Sequence, residues 1–334
     1  MSTIAITGAS GKLGNATLTA LLSHTLHPPP SIIALTSSSP NSPTWSRLRA
    51  QNPSIQIRHA AFEDQASYEA ALAGVDKFFL VSTPHIELDF EDGEGREVPD
   101  GKGREAHHRV AIDAALRAGV RHVYYSSLAF AWDNEGKKPG NRSTAAVMRA
   151  HLRTEAYLSR LEKEGRVKVT VIREGLYNES WPLYLGYFDP SGADDRSVVP
   201  LAGDGKVCWT AISDLGVASA VVLVSPSEEY AGRTFYLSTR PEGAKSISEV
   251  AELVGRARGK GVSVKIVGQE EHERYYVQER AMDRRAVRWW KSTYEALERG
   301  ECLIDDPTLE KLLSGVGVKP TSIEETISKM VKKV

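Results

Sequence analysis

The stretch "IAITGASGKLG" (residues 4–14) decides the fold, because a short apolar strand leads directly into glycines at every third position and then into a helical pattern. Gly8, Gly11 and Gly14 have separate tasks in such a turn. One permits the tight turn, one lets the backbone approach a pyrophosphate without a Cβ, and one allows the helix to pack closely on the strand. The free N–H groups at the helix start then face the phosphates. The spacing predicts a dinucleotide site, and a turn that serves packing alone is the alternative.

The chain that follows alternates short β-rich runs with amphipathic helical stretches. The predicted strands are "SIIALT", "IQIRHA", "DKFFLVST", "HVYYSS" and "VKVTVIREG", and helical patterns lie between most of them. Strands as apolar as these are buried on both faces, which is typical of a parallel sheet covered by helices. The pattern therefore predicts an α/β fold built on a Rossmann-type doubly wound parallel sheet. After the sixth strand the alternation weakens and the tail is mainly helical.

The composition of the 334 residues excludes several classes of protein. The net charge of −1 shows no bias towards nucleic acid or an anionic membrane. The two cysteines, Cys208 and Cys302, lack the spacing of a disulfide framework or a zinc site, and they favour a reducing compartment. No run reaches the roughly 18 apolar residues of a membrane span, and a strand begins too early for a signal peptide. We expect a cytoplasmic protein that contains no metal and binds neither nucleic acid nor a membrane.

The end of the second strand indicates which dinucleotide is bound. An Asp or Glu there would hydrogen-bond the ribose 2′-hydroxyl of NAD and repel the 2′-phosphate of NADP. This chain has "ALTSSSPNS" instead, with no carboxylate at the strand end. The hydroxyls that can donate to a phosphate, and the arginines that can neutralise it, are Thr36, Ser37, Ser38, Arg47 and Arg49. They favour NADP (NADPH when reduced) over NAD, and a plain polar loop is the alternative interpretation of the serines.

Residues 84–102 form an unusually long connection after the fourth strand. The stretch "TPHIELDFEDGEGREVPDGK" carries seven acidic residues and three glycines. Connections in such folds usually run about two to six residues. Because this one follows a central strand, at the edge where open sheets bind ligands, a lid over the site is favoured over a disordered insertion.

These segments together resemble the NmrA-like branch of the atypical short-chain dehydrogenases/reductases, and within it the bacterial type 2 quinone oxidoreductases. Besides the opening stretch, the resemblance rests on "AALAGVDKFFLVST", "HHRVAIDAALRAGVRHVYYSSL", "HLRTEAYL", "IREGLYNES", "LAGDGKVCWTAISDLGVASA" and "KPTSIEE". It implies an NAD(P)-binding Rossmann domain over residues 1–176. It also implies a smaller, mainly helical substrate-covering lobe over residues 177–334, some segments of which return to the sheet. Ala61 departs from the family, which often has Asp before the adenine-side aromatic residue.

The resemblance also implies a set of cofactor contacts. The residues that would hold the pyrophosphate are Gly8, Ser10, Gly11, Lys12, Leu13 and Gly14. The remaining contacts, in order from the adenine to the nicotinamide, would be Phe62, Val81, Ser82, Thr83, Leu176 and Tyr177. The first of these would lie near the adenine, the next three would flank the ribose and nicotinamide, and the last two would lie beside the nicotinamide.

The proton donor cannot be the usual one. None of the 12 tyrosines has a lysine four residues later, so the Tyr-x-x-x-Lys pair of ordinary short-chain dehydrogenases is absent. The family helix places His151 at the lysine position and Val147 at the tyrosine position. Three roles for His151 stay open: a general acid titrating near pH 6.5, a group that orients ribose or substrate, and a structural histidine. Ser127 and Tyr177 are the other catalytic candidates.

These features predict an NADPH-dependent oxidoreductase that reduces a small quinone or conjugated carbonyl, such as a secondary metabolite, by hydride transfer. A reduced quinone oxygen is phenolate-like, so a weak acid or water can protonate it, which explains how the Tyr–Lys pair can be dispensed with. The alternative is a catalytically weak NADP(H)-sensing regulatory protein that binds a protein partner. The sequence leaves the substrate and the oligomeric state open.

Overall fold

The structure is a computed structural model that describes residues 2–91 and 96–331. Its strands are β1 (Ile4–Ile6), β2 (Ile32–Thr36), β3 (Gln56–His59), β4 (Lys77–Val81), β5 (His122–Leu128), β6 (Trp132–Asp133), β7 (Lys138–Pro139), β8 (Lys168–Glu174), β9 (Val198–Leu201), β10 (Lys206–Val207), β11 (Arg233–Leu237), β12 (Lys245–Ser246) and β13 (Ser263–Ile266). Its α-helices are α1 (Lys12–Ser23), α2 (Pro43–Gln51), α3 (Gln65–Ala71), α4 (Arg104–Arg117), α5 (Ala146–Lys163), α6 (Trp181–Tyr184), α7 (Ile212–Val224), α8 (Ser227–Tyr230), α9 (Ile247–Arg258), α10 (Gln269–Arg274), α11 (Arg284–Glu298), α12 (Thr308–Gly315) and α13 (Ile323–Met330).

The largest sheet has seven strands in the order β11-β8-β5-β4-β1-β2-β3, and all neighbouring pairs are parallel. Helices α1 and α7 pack on one face, and α3, α4 and α5 pack on the other. The strand order reverses beside β1, which has β2 on one side and β4 on the other. This point is a topological switch point, where open parallel sheets bind ligands. The prediction of a Rossmann-type doubly wound sheet is confirmed.

The second half of the chain contributes both to the sheet and to a separate hydrophobic cluster. Strand β11 pairs with β8 and forms one edge of the sheet, and α7 covers the face opposite α5. A second cluster includes Trp181, Trp289 and Trp290, all buried. The division at residue 176 stays a prediction. In the two described ranges, none of the helices combines the length and apolar character that a membrane crossing needs.

The sequence pattern of "STAAVMRAHLRTEAYL" (residues 143–158) predicts a helix, and α5 both begins and ends later than this span. Before the helix, the Ser143 and Thr144 hydroxyls and the Thr144 N–H all donate to the carboxylate of Glu301. These contacts hold the two residues outside the helix and place a negative charge near its N-terminus, where it is favourable. The helix continues past residue 158 because Leu161 is buried against the sheet.

Candidate functional site

The carboxyl ends of the parallel strands meet at one edge of the sheet and align the predicted contacts. Thr36 ends β2, the glycine turn follows β1, Ser82 follows β4, and Leu176 lies two residues after β8. The span from β2 to β8 is four strand spacings, or about 19 Å. The edge therefore offers one continuous line along which an extended dinucleotide can lie.

The glycine turn has the geometry of a phosphate-binding loop. Gly8 adopts a left-handed φ of +59°, and the Gly11 N–H donates to the Gly8 carbonyl at 2.7 Å. A Cβ on Gly14 would lie 2.4 Å from the Gly8 carbonyl oxygen and 2.6 Å from that of Thr7. In the described structure, α1 starts at Lys12 with no side-chain cap and no acidic residue in its first turn. Its first N–H groups are thus available to an anion.

The residues of this turn divide into an exposed set and a buried set. Gly8, Ser10, Gly11 and Lys12 are exposed, so their backbone can reach a ligand. Leu13 and Gly14 are buried where α1 packs on the sheet. The turn therefore presents its first half to solvent and anchors its second half in the core.

The polar residues after β2 differ in how free they are. Thr36 is buried, and its hydroxyl oxygen lies 3.4 Å from the Ser10 hydroxyl and 3.2 Å from the Ser38 amide, which donates to it. Ser37 is exposed. Arg47 and Arg49 are exposed on α2, and neither forms an ion pair within the described ranges. Ser37 and the two arginines are therefore free to meet a 2′-phosphate, and Thr36 holds the turn.

The adenine-side candidate lies among aromatic rings. Phe62 is half-buried, stacks on the His107 ring at 5.6 Å between centroids, and lies 5.4 Å from the Tyr68 ring. The His85 and His107 Nε2 atoms each lie 3.9 Å from one oxygen of Glu63. Within the described part of the chain, no three His, Cys, Asp or Glu side chains have the arrangement of a metal site.

Two of the three catalytic candidates are engaged inside the protein. The Ser127 hydroxyl is buried and donates to Glu155 at 2.6 Å, and Glu155 is paired with Arg173 at 2.7 Å. His151 is also buried, with Nδ1 2.9 Å from the Tyr125 hydroxyl and Nε2 3.5 Å from Arg104 Nη1. Burial, and then the Arg104 charge, lower the pKa of His151 well below its usual value, so the imidazole is neutral.

Tyr177 differs from these two. It is half-buried just after β8, where its backbone bridges to Thr210. Its hydroxyl has no hydrogen-bond partner among residues 2–91 and 96–331. Burial raises the pKa of this phenol, so it stays protonated at neutral pH. Of the three candidates, only Tyr177 therefore has an O–H that is free to donate.

Behind Ser82 lies a network of buried, hydrogen-bonded polar side chains that the sequence did not reveal. His108, Tyr125 and Thr154 are buried on α4, β5 and α5, and Arg104 is buried at the start of α4. Each side chain is polar in a position that faces the core, and this would have been the only signal in the sequence. This network of side chains links the carboxyl edge of the sheet to the long connection after β4.

The described parts of residues 84–102 contact both halves of the molecule. Asp89 is buried and pairs with Arg104, accepting from its backbone N–H at 2.8 Å and from its Nε. The Phe90 ring lies 5.6 Å from Trp289 of α11. On the far side, Arg153 donates to the Val98 carbonyl at 3.1 Å. Residues 92–95 lie outside the described residues, and the lid stays a prediction.

Comparison with known proteins agrees with this architecture. The sequence model of the NmrA-like family matches residues 1–302. The NmrA-like family domain-containing oxidoreductase flvB of Aspergillus flavus is 29% identical over 266 residues, which cover 80% of this chain and 75% of that protein. Quinone oxidoreductase 2 of Escherichia coli is 28% identical over 260 residues, covering 78% and 76% of the two chains.

Two solved structures extend the comparison to nearly the whole length. The Escherichia coli quinone oxidoreductase complexed with NADPH matches with a TM-score of 0.73 and 25% identity over 98% of this chain and 99% of that one. Citrobacter sp. triphenylmethane reductase complexed with NADP(H) matches with a TM-score of 0.73 and 25% identity over 98% and 100%. The resemblance inferred from the sequence motifs is confirmed. With its glycine turn at the switch point of a seven-stranded parallel sheet, this chain belongs to the NmrA-like family.

Proposed function

We propose that this protein is an NADPH-dependent oxidoreductase that reduces a quinone or a conjugated carbonyl. The observation that carries the proposal is the glycine turn, whose uncapped helix start lies at the switch point of the sheet. The relatives named as oxidoreductases support the reaction class, and the two solved relatives that hold NADP(H) support the cofactor. The absence of a carboxylate at the end of β2 agrees with the phosphorylated dinucleotide.

The proposed binding mode assigns one task to each part of the edge. When bound, NADPH supplies the hydride for the reduction. The N–H groups of the glycine turn would hold the pyrophosphate, and Ser37, Arg47 and Arg49 would hold the 2′-phosphate. Leu176 is buried in the same core cluster as Phe130 and Trp181, and this packing would support the nicotinamide position from the protein side.

We assign the proton to Tyr177 rather than to His151 or Ser127. Tyr177 keeps its proton at neutral pH and has no internal partner in the described structure, whereas both His151 nitrogens and the Ser127 hydroxyl face internal partners. The reduced oxygen of a quinone is phenolate-like, so a phenol or a water molecule is a sufficient acid. His151 then keeps the orienting or structural role.

An NADP(H)-sensing regulatory protein is the second candidate. The observation in its favour is that two of the three candidate acids are already engaged inside the protein. A regulator would bind the dinucleotide and a protein partner without turnover. In either case we propose the division into residues 1–176 and 177–334. We also propose a cytoplasmic location, since Cys208 and Cys302 are both free thiols.

Consumption of NADPH distinguishes the two functions. We expect the absorbance at 340 nm to fall when NADPH is mixed with the protein and a panel of quinones and enones, and to fall more slowly with NADH. Tyr177→Phe should lower kcat about 10-fold, a modest effect because water can replace the phenol. Tyr157→Phe is the matched control, since Tyr157 is half-buried on α5 and bonds Asp113. Binding of NADPH without turnover of any acceptor would instead support the regulator.

A further inference from the structure

The hydrogen bonds around His108 determine which of its nitrogens carries the proton. The Thr154 hydroxyl donates to the Ala150 carbonyl at 2.8 Å, so its oxygen accepts from His108 Nδ1, also at 2.8 Å. On the other side of the ring, the Thr83 backbone N–H donates to His108 Nε2 at 3.3 Å. The Nδ1 atom therefore carries the proton, and Nε2 offers a lone pair.

This tautomer also determines the direction of the Ser82 hydroxyl. Ser82 Oγ lies 3.0 Å from His108 Nε2. Because Nε2 has no proton, Ser82 must be the donor in this hydrogen bond. The lone pairs of the Ser82 oxygen are left to accept a hydrogen bond, and the residue is half-buried at the carboxyl end of β4, next to the glycine turn. Ser82 can therefore accept a hydrogen bond from a ligand, but it cannot donate one to a ligand carbonyl.

At the opposite end of this side-chain network, the hydrogen bonds also determine which nitrogen of His151 carries the proton. Arg104 can only donate, so His151 Nε2 accepts from it at 3.5 Å, and His151 Nδ1–H donates to the Tyr125 oxygen at 2.9 Å. Arg104 is itself held by Asp89 and by the Val147 carbonyl, to which it donates at 2.8 Å. These contacts fix the His151 tautomer, and the Tyr125 hydroxyl, which also lies 3.3 Å from His108 Nδ1, links the two histidines.

We propose that His108 is a positioning residue that holds the Ser82 hydroxyl as an acceptor for a hydroxyl of the nicotinamide ribose. The inference rests on the proposed function, because it requires the dinucleotide to lie along the carboxyl edge. A histidine at 0% exposure serves this role well, since hydrogen bonds at both ring nitrogens hold the ring against Ser82. Hydride geometry then depends on a residue that does not itself touch the cofactor.

A double-mutant cycle on NADPH affinity tests the proposal, with Kd measured by calorimetry on the full chain. Ser82→Ala should raise Kd about 10-fold, the equivalent of one hydrogen bond. His108→Phe keeps a ring but frees the Ser82 hydroxyl, and should raise Kd about 5-fold. In the Ser82→Ala background, His108→Phe should add less than about 2-fold, because its effect passes through Ser82.

His122→Phe is the control for loss of a buried histidine. His122 is 1% exposed and bonds Thr170 at 2.8 Å, but it lies at the amino end of β5, far from the cofactor edge. The His122→Phe substitution should lower the melting temperature without changing the Kd for NADPH. If His108→Phe fails to fold, Thr154→Val takes its place in the cycle, because that variant removes the oxygen that fixes the tautomer of His108. Additive effects on Kd, or a Kd change no larger than that of His122→Phe, would overturn the inference. Failure of the wild-type chain to bind NADPH would instead overturn the proposed function.

Discussion

Replacing Gly14 by alanine is expected to lower NADPH affinity about 100-fold, because forcing a methyl group into a packed site costs about 3 kcal/mol. The added Cβ would lie 2.4 Å from the Gly8 carbonyl oxygen and 2.6 Å from that of Thr7. Both atoms are backbone, so α1 must move away from β1 and take its first N–H groups with it. The Kd for NADPH, measured by calorimetry, reports the loss.

Gly268→Ala provides the matched control for this substitution. Gly268 precedes α10 with a φ of −66°, and nothing lies within 4 Å of an added Cβ. The Gly268→Ala substitution should leave both the Kd for NADPH and the circular dichroism spectrum unchanged. A folded Gly14→Ala variant that binds NADPH as tightly as the wild type would show that the turn does not hold the pyrophosphate.

Acidification is expected to destabilise the protein by about 3 kcal/mol per pH unit between pH 5.5 and 4.5. The four histidines with the least exposed side chains carry most of the effect: His108, His122, His151 and His272. Burial is the largest cause that lowers each of their pKa values, to about 3 for His122 and about 4 for His272. Each histidine stays neutral in the folded state, while the unfolded chain takes up its proton near pH 6.5.

The sign of the pH dependence follows from these depressed pKa values. The stabilisation is complete above about pH 6.5 and is lost as the pH falls towards the folded-state values. Glu105 and Glu174 act in the opposite direction, because burial raises their pKa values and the folded state holds their protons longer than the unfolded state does. Four histidine protons against at most two carboxyl protons leave a difference of at least about two protons, or about 3 kcal/mol per pH unit. Carboxyls whose pKa is lowered in the folded state, such as those of Asp194 and Glu273, add to the loss.

Urea unfolding at pH 7.5, 6.5, 5.5 and 4.5 measures the slope directly. The variant His122→Phe should reduce it by about 1.4 kcal/mol per pH unit between pH 5.5 and 4.5, the contribution of one proton. A free energy of unfolding that stays constant from pH 7.5 to 4.5 would contradict the assignment of these histidines as buried and neutral.

The parts of the fold that follow from local pattern were predictable. Strands β1, β2, β4, β5 and β8 consist mainly of apolar, aromatic or β-branched residues, whereas β3 is largely polar. Each strand is separated from the next by a turn or a helical pattern. Strand β11 was not predicted, although "RTFYL" is rich in aromatic and β-branched residues. Its place at the sheet edge depends on pairing with β8, about 60 residues earlier in the chain. The start of α5 was misplaced for a similar reason, since Glu301 holds the residues before it from 157 positions away.

The cofactor turn was predictable because its constraint is local. Gly14 must lack a Cβ because of Gly8 and Thr7, which are its near neighbours in sequence. The network of buried side chains behind Ser82 was not predictable, because a sequence shows Arg104 and His108 only as polar residues of a helix. Their burial depends on Asp89 and on side chains of β5 and α5, which the sequence does not place beside them.

Calorimetric titration of the wild-type chain with NADPH, and then with NADH, tests the central claim most directly. The account predicts one saturable site per chain, with tighter binding of NADPH because the end of β2 carries hydroxyls and nearby arginines but no carboxylate. Absence of binding by either dinucleotide would contradict the claim that the first turn of this sheet is a dinucleotide site.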